Sequence, residues 1–117
     1  MGQELLERRG YVRQRTRYFL ATTSNGLRVV RGSSSKEYPY ACVSTARSDW
    51  GWVVNLWSSR KDLAQRNANA YNKHYLKEGT TFEVVETKEI TPKEARQIKK
   101  ELNQEILDYR EQKKENK

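Results

Sequence analysis

Apolar and aromatic residues gather in short extended runs through the first half of the chain, and near Leu63 their spacing changes to three and four. That change separates strands from helices, because side chains alternate faces along a strand and return every 3.6 residues along a helix. The stretch YVRQRTRYFLATT is rich in β-branched and aromatic residues, and LRVVRG follows it after SNG. Asn25-Gly26 between two such runs predicts a hairpin, since both residues tolerate positive φ. The predicted strands are Thr16–Thr23 and Leu27–Arg31. GSSSKEYP reads as a loop. Pro39 has no N–H and suits a strand start, so YACVSTA, Tyr40–Ala46, is the third strand. RSD turns the chain and WGWVVNLW is the fourth strand.

Ser58 or Ser59 can cap the helix that follows, with Asp62 in its first turn. Leu63, Ala64, Ala68, Tyr71 and Tyr75 fall on one face of it, and Gly79 stops it. TTFEVVETKEI is a fifth strand. TPKE is then a capping box, with Thr91 as cap, Pro92 at the first helical position and Glu94 reaching back. Ala95, Ile98, Leu102, Ile106 and Tyr109 give the last helix a single narrow apolar stripe.

The order β-β-β-β-α-β-α, joined by short turns, predicts an α+β fold. Its core is a mainly antiparallel five-stranded sheet with the helices on one face. The other face is left to meet water or a partner. Residues 1–14 read as a flexible basic arm or a short helix, residues 15–110 as a single α+β domain, and residues 111–117 as a frayed charged tail.

Alternation also divides the three tryptophans. Trp50, Trp52, Val54 and Leu56 share a face and read as core. Trp57 is out of phase with them, beside the polar SSRKD, and is either covered by the first helix or exposed as a contact residue.

Composition sharpens this picture. Only 35% of the 117 residues are hydrophobic and 32% are charged, so the core must lean on the twelve aromatics. There is no apolar run of membrane-spanning length and no signal-peptide core, and Leu6 stands where a myristoylation motif wants Ser or Thr. The single cysteine, Cys42, cannot form an internal disulfide. These features fit a cytoplasmic protein. The net charge is +8, and most of the excess lies in residues 1–31, where seven arginines face two glutamates. Arginine forks match phosphate and carboxylate bidentately, so an acidic partner is implied.

Catalytic chemistry is thin. His74 is the only histidine, which excludes a multi-histidine metal site. Cys42 and His74 could in principle pair as nucleophile and base. The ordinary alternative is a buried strand thiol and a solvated helix histidine. Glu83 and Asp49 sit near strand ends, but nothing pairs them. GSSSK lacks the full phosphate-loop pattern. The carboxylates of the last helix read as a solvated, salt-bridged face. The expectation is a protein that is not an enzyme, with no cofactor and no metal.

The functional pattern lies in YVRQRTRYF. As an extended chain, Tyr11, Arg13, Arg15, Arg17 and Phe19 line one face about 6.6 Å apart, and Arg28 or Arg31 on the next strand could extend the ladder. Cations with flanking rings are what a groove tracking nucleic acid uses, and a solvated strand edge is the competing reading. The first functional reading is a non-enzymatic nucleic-acid-binding module that uses this strip and the open sheet face. The second is a phage or mobile-element accessory protein, of the anti-CRISPR type, that inhibits an acidic or nucleic-acid-bound host complex. Ile98, Leu102 and Ile106 could support a homodimer. No membrane partner is expected.

VRQR, a tryptophan-bearing strand and a helix with ANAYN together resemble the AP2-type DNA-binding domain over about half the chain. In that family a three-stranded sheet, backed by one helix, enters the major groove. GSSSKEYPY, the extra strand and the long last helix depart from its pattern. The resemblance therefore implies no more than a sheet that reads nucleic acid.

Overall fold

The segment TTFEVVETKEI, one strand by its pattern, decides the architecture by splitting in two. The computed structural model describes residues 16–74 and 80–115. Among these lie β1 (Arg17–Thr22), β2 (Arg28–Ser33), β3 (Tyr40–Ser44), β4 (Asn55–Ser58), α1 (Lys61–His74), β5 (Phe82–Glu86), β6 (Lys88–Ile90) and α2 (Pro92–Glu115). β5 pairs with β3, whereas β6 pairs with β1. Thr87, between them, leaves both ladders. Its N–H donates to the Pro39 carbonyl at 2.9 Å and its hydroxyl to the Tyr38 carbonyl. A strand that changes sheets at a bend makes the corner of a two-sheet packing.

The α+β class holds, but the single five-stranded sheet does not. Two antiparallel three-stranded sheets take its place, in the orders β2-β1-β6 and β4-β3-β5. The helices are not on one face either. Ala21 opposes Val29, and both join Ala41 and Val43 of the other sheet in one buried cluster. Cys42 points to the opposite face of β3 and joins Phe82 and Ala68 of α1 in a second cluster. On β1, Tyr18 faces away from Ala21, and Lys99 of α2 lies over its ring at 5.1 Å. The layers therefore run α2, first sheet, second sheet, α1. Each sheet faces the other on one side and a helix on the opposite side, so the open sheet face that the sequence implied is occupied.

Local chemistry fixes the hairpin and the start of α2 as predicted. Gly26 takes φ +90 in the β1–β2 turn, and its N–H donates to the Thr23 carbonyl at 3.0 Å. Thr91 and Glu94 form the reciprocal capping box, at 3.3 and 3.1 Å. α1 begins at Lys61, where the Ala64 N–H donates to the Arg60 carbonyl, so Arg60 takes the cap position expected for Ser58 or Ser59, and Ser58 ends β4 instead; Ala64 and Ala68 are the buried residues of the helix. Tyr75 and Gly79, expected near its end, lie outside the described residues. α2 keeps helical form through Glu115, past the boundary expected for the tail. No helix among the described residues is long and apolar enough to cross a membrane.

Candidate nucleic-acid interface

The arginines singled out from the sequence are drawn into ion pairs and ring contacts within the fold. Tyr11, Arg13 and Arg15 lie outside the described residues. Arg17 bonds Glu89 at 2.6 Å and Glu37 at 2.7 Å, and those two carboxylates raise its pKa further. Arg17 in turn holds the Glu89 carboxyl below its ordinary value. Arg17 also lies over Phe19, 5.5 Å from the ring centre, and Phe19 is buried. Arg31 opposes Phe19 and so shares that face, with its guanidinium 4.8 Å from the Tyr38 ring centre. Arg28 opposes Thr22 and points to the other face. There it meets Glu105 at 2.8 Å and Glu101 at 3.1 Å, contacts that raise its pKa. Register therefore separates Arg28 from the other two.

The tryptophans exchange roles. Trp57 is half-buried at the margin of the inter-sheet cluster, and its Nε1 donates to Asn55 Oδ1 at 2.7 Å. Trp50 and Trp52, expected in the core, are 65% and 58% exposed. Alternation does hold from Val53 to Trp57. Val54 and Leu56 pack toward α1, while Val53 and Trp57 pack toward the other sheet. It fails before Val53 because Ser48 to Trp52 is a turn. The Gly51 N–H donates to the Ser48 carbonyl at 2.9 Å, and the Ser48 N–H donates to the Trp52 carbonyl at 2.7 Å. The letters SDWG have turn composition and could have marked this.

That turn is docked on α2. Gly51 has φ +96, and a Cβ there would stand 3.1 Å from Ile106 Cγ2. Arg110 Nε donates to the Trp50 carbonyl at 2.7 Å, and Lys113 reaches Asp49 at 3.1 Å. Gly51→Ala should therefore cost roughly 1–3 kcal/mol in urea unfolding, from strained backbone and contact together. Gly26→Ala carries the same positive φ with open space around it, and should cost less. Equal costs would show that the turn does not press on Ile106.

α2 itself divides into three sectors. At 3.6 residues per turn, Arg96, Lys99, Lys100, Arg110 and Lys114 fall within roughly 100° of arc. Glu94, Glu101, Glu105, Asp108, Glu111 and Glu115 fall within about 120° on another side. Ala95, Ile98, Leu102, Ile106 and Tyr109 lie between them on the side facing the first sheet and the turn. The stripe considered for a homodimer thus meets this chain's own β2 and Gly51, with Leu102 and Ile106 lining a cleft beside Val30 and Trp52. The acidic sector serves the fold as well. Glu105 bridges Arg28 and Arg47 at 2.8 and 2.9 Å. Hydrogen bonding from Gln97, then from Arg28, lowers the Glu101 pKa.

The basic sector has no such partners. Arg96, Lys99, Lys100, Arg110 and Lys114 make no ion pair with any described residue. Lys99 and Arg110 instead lie over the rings of Tyr18 and Trp52. In the middle of this sector Leu107 is 55% exposed. The carboxylates of this helix are salt-bridged in part, as expected, but to Arg28 and Arg47 of other elements; no ion pair joins two described residues of α2, because like charges are grouped rather than interleaved. Sequence reasoning assigned the positive surface to the N-terminal arginines. Plotting α2 on a helical wheel would have found the second one.

Elsewhere the groups of possible catalytic use are apart. Cys42 is buried, and burial pushes its thiol up to about 11, which keeps it protonated at neutral pH. His74 is exposed at the end of α1, and no hydrogen bond joins it to Cys42 among the described residues. Comparison with protein-family models, curated proteins and solved structures finds no match to this chain, the AP2-type domain included.

Proposed function

We propose that this chain is a small non-enzymatic nucleic-acid-binding module. It engages the phosphate backbone through the basic sector of α2, joined by Arg13 and Arg15 of the N-terminal strip. One observation carries this reading: five cations share one helical sector, four of them exposed and Arg110 half-buried, without a carboxylate partner among the described residues. A merely solvated helix usually mixes its charges, because pairs three or four residues apart stabilise it. Grouped like charges repel one another, and a polyanion relieves that repulsion while releasing its condensed counterions. An acidic or nucleic-acid-bound protein complex is the alternative partner, favoured by Leu107 exposed amid the cations.

Salt titration tests the proposal. Each phosphate contact contributes about 0.7–0.9 to the slope of log K against log salt. Arg96→Gln, Lys100→Gln and Lys114→Gln together should flatten that slope by about 2–3. Arg13→Ala with Arg15→Ala should flatten it separately. Binding that ignores salt, or a slope unchanged in the triple variant, would remove α2 from the site.

A further inference from the structure

We propose that the Trp50–Gly51–Trp52 turn is a stacking platform for unpaired bases, so that the chain prefers single-stranded to duplex nucleic acid. This rests on the nucleic-acid reading above and adds strandedness and the residues that confer it. Among the described residues, the two indoles and Leu107 are the large apolar side chains the fold leaves most exposed. In a chain with so little apolar material, two outward-facing tryptophans forgo a large burial gain.

Their backbone is nevertheless held firmly. Ser48 closes the turn from both ends, and its hydroxyl accepts from the Trp52 N–H at 3.0 Å. Arg110 holds the Trp50 carbonyl, and Gly51 sits against Ile106. Rings presented from a fixed turn lose little entropy on contact.

The surroundings identify the partner. No ring contact joins Trp50 to Trp52 or to another aromatic ring among the described residues. Trp50 borders a cleft with Asp49, Arg110, Lys113 and Lys114, in which Lys113 pairs with Asp49. The Trp52 ring has the Arg110 guanidinium 5.9 Å from its centre, and its cleft is lined by Lys99 and Asn103 together with Val30, Leu102 and Ile106. The Trp52 cleft has an apolar floor, but unlike the charge-depleted core of a protein interface it carries Lys99 beside the ring. The rim of the two clefts is mainly cationic, with Asp49 the one carboxylate among the lining residues, and it is continuous with the basic sector of α2. Phosphates on that sector and bases on the indoles would satisfy both features at once, as in grooves that carry single strands. A duplex hides its base faces and would use the cations alone.

The test uses the full chain with four probes: a thymidine oligomer of about 12 nucleotides, the corresponding duplex, inorganic polyphosphate and polyglutamate. The single strand should bind best. Trp50→Ala with Trp52→Ala should weaken its binding between about fivefold and a hundredfold per ring. The same pair should leave polyphosphate binding and the salt slope unchanged. Trp50→Phe with Trp52→Phe should retain most of the affinity, and all variants should keep the native unfolding midpoint because the rings are exposed. Duplex bound as well as single strand, or equal losses with polyphosphate, would overturn the platform while leaving nucleic-acid binding in place. No binding of any probe would overturn the nucleic-acid reading together with the platform. Polyglutamate held more tightly than the oligomer would overturn both in favour of an acidic protein partner.

Discussion

Phe82→Ala is expected to destabilise the protein by roughly 3–5 kcal/mol, the range for truncating a buried phenylalanine. Phe82 is 5% exposed and stacks on Tyr71 of α1, with ring centres 4.9 Å apart. It also touches Cys42 and Ala68, so it is the main filling between the second sheet and α1. Among the described residues, five of the eleven buried hydrophobic ones are alanines, which bring backbones close but contribute little area each. Phe82 cannot be replaced by collapse of such neighbours, and a cavity would remain. The Asn72 amide brackets its backbone, accepting from the Phe82 N–H at 2.7 Å and donating to its carbonyl at 3.2 Å. Those bonds fix β5 against the helix, so the neighbours cannot easily move in. A domain of this size has only about 5–15 kcal/mol in total. Urea unfolding followed by tryptophan fluorescence would read the loss as a lower midpoint at unchanged m. A cost under about 1 kcal/mol would mean that α1 is not held through this ring.

Charge reversal on α2 is expected to have the largest effect on binding. Arg96→Glu, Lys100→Glu and Lys114→Glu together should weaken oligonucleotide binding roughly 100- to 1000-fold at about 0.1 M salt. Each lost contact forfeits most of one released counterion, which near that salt concentration is worth close to a decade in affinity. New glutamates add repulsion to this loss. The fold should barely respond, because the three side chains are exposed and make no ion pair among the described residues. Glu111→Lys, on the acidic sector, should not weaken binding. If the reversed triple binds as the native chain does, the contacts lie elsewhere, and Arg13 and Arg15 become the principal candidates.

Local features were legible in the sequence because local forces set them. Asn25-Gly26 specified a hairpin, since the turn needs a positive φ, which Gly26 alone takes, whatever surrounds it. Thr91, Pro92 and Glu94 specified a helix start, since the cap satisfies its own orphan N–H groups. Ala64 and Ala68 were found by spacing alone.

Tertiary structure decided the remainder. Alternation gives the faces of a strand but not its partner, so nothing in FEVVETKEI told that Thr87 would pass the chain from one sheet to the other. Once two sheets formed, the face left for a ligand was filled. The arginine count gave the sign of the charge but not its availability. Glu89, Glu37, Glu101 and Glu105 lie far along the chain from the arginines they pair with, and only folding brings them together. The tryptophans show the same limit. Period-two spacing fits Trp50 and Trp52 as well as Val54 and Leu56, but Gly51 at positive φ, pressed on Ile106, turns those two rings outward. Sequence alone determined the class, the hairpin, the capping box of the last helix and the positive balance, each a matter of composition or of neighbours a few residues apart. Which cations and which rings remain available to a partner was decided by contacts between residues distant in the chain.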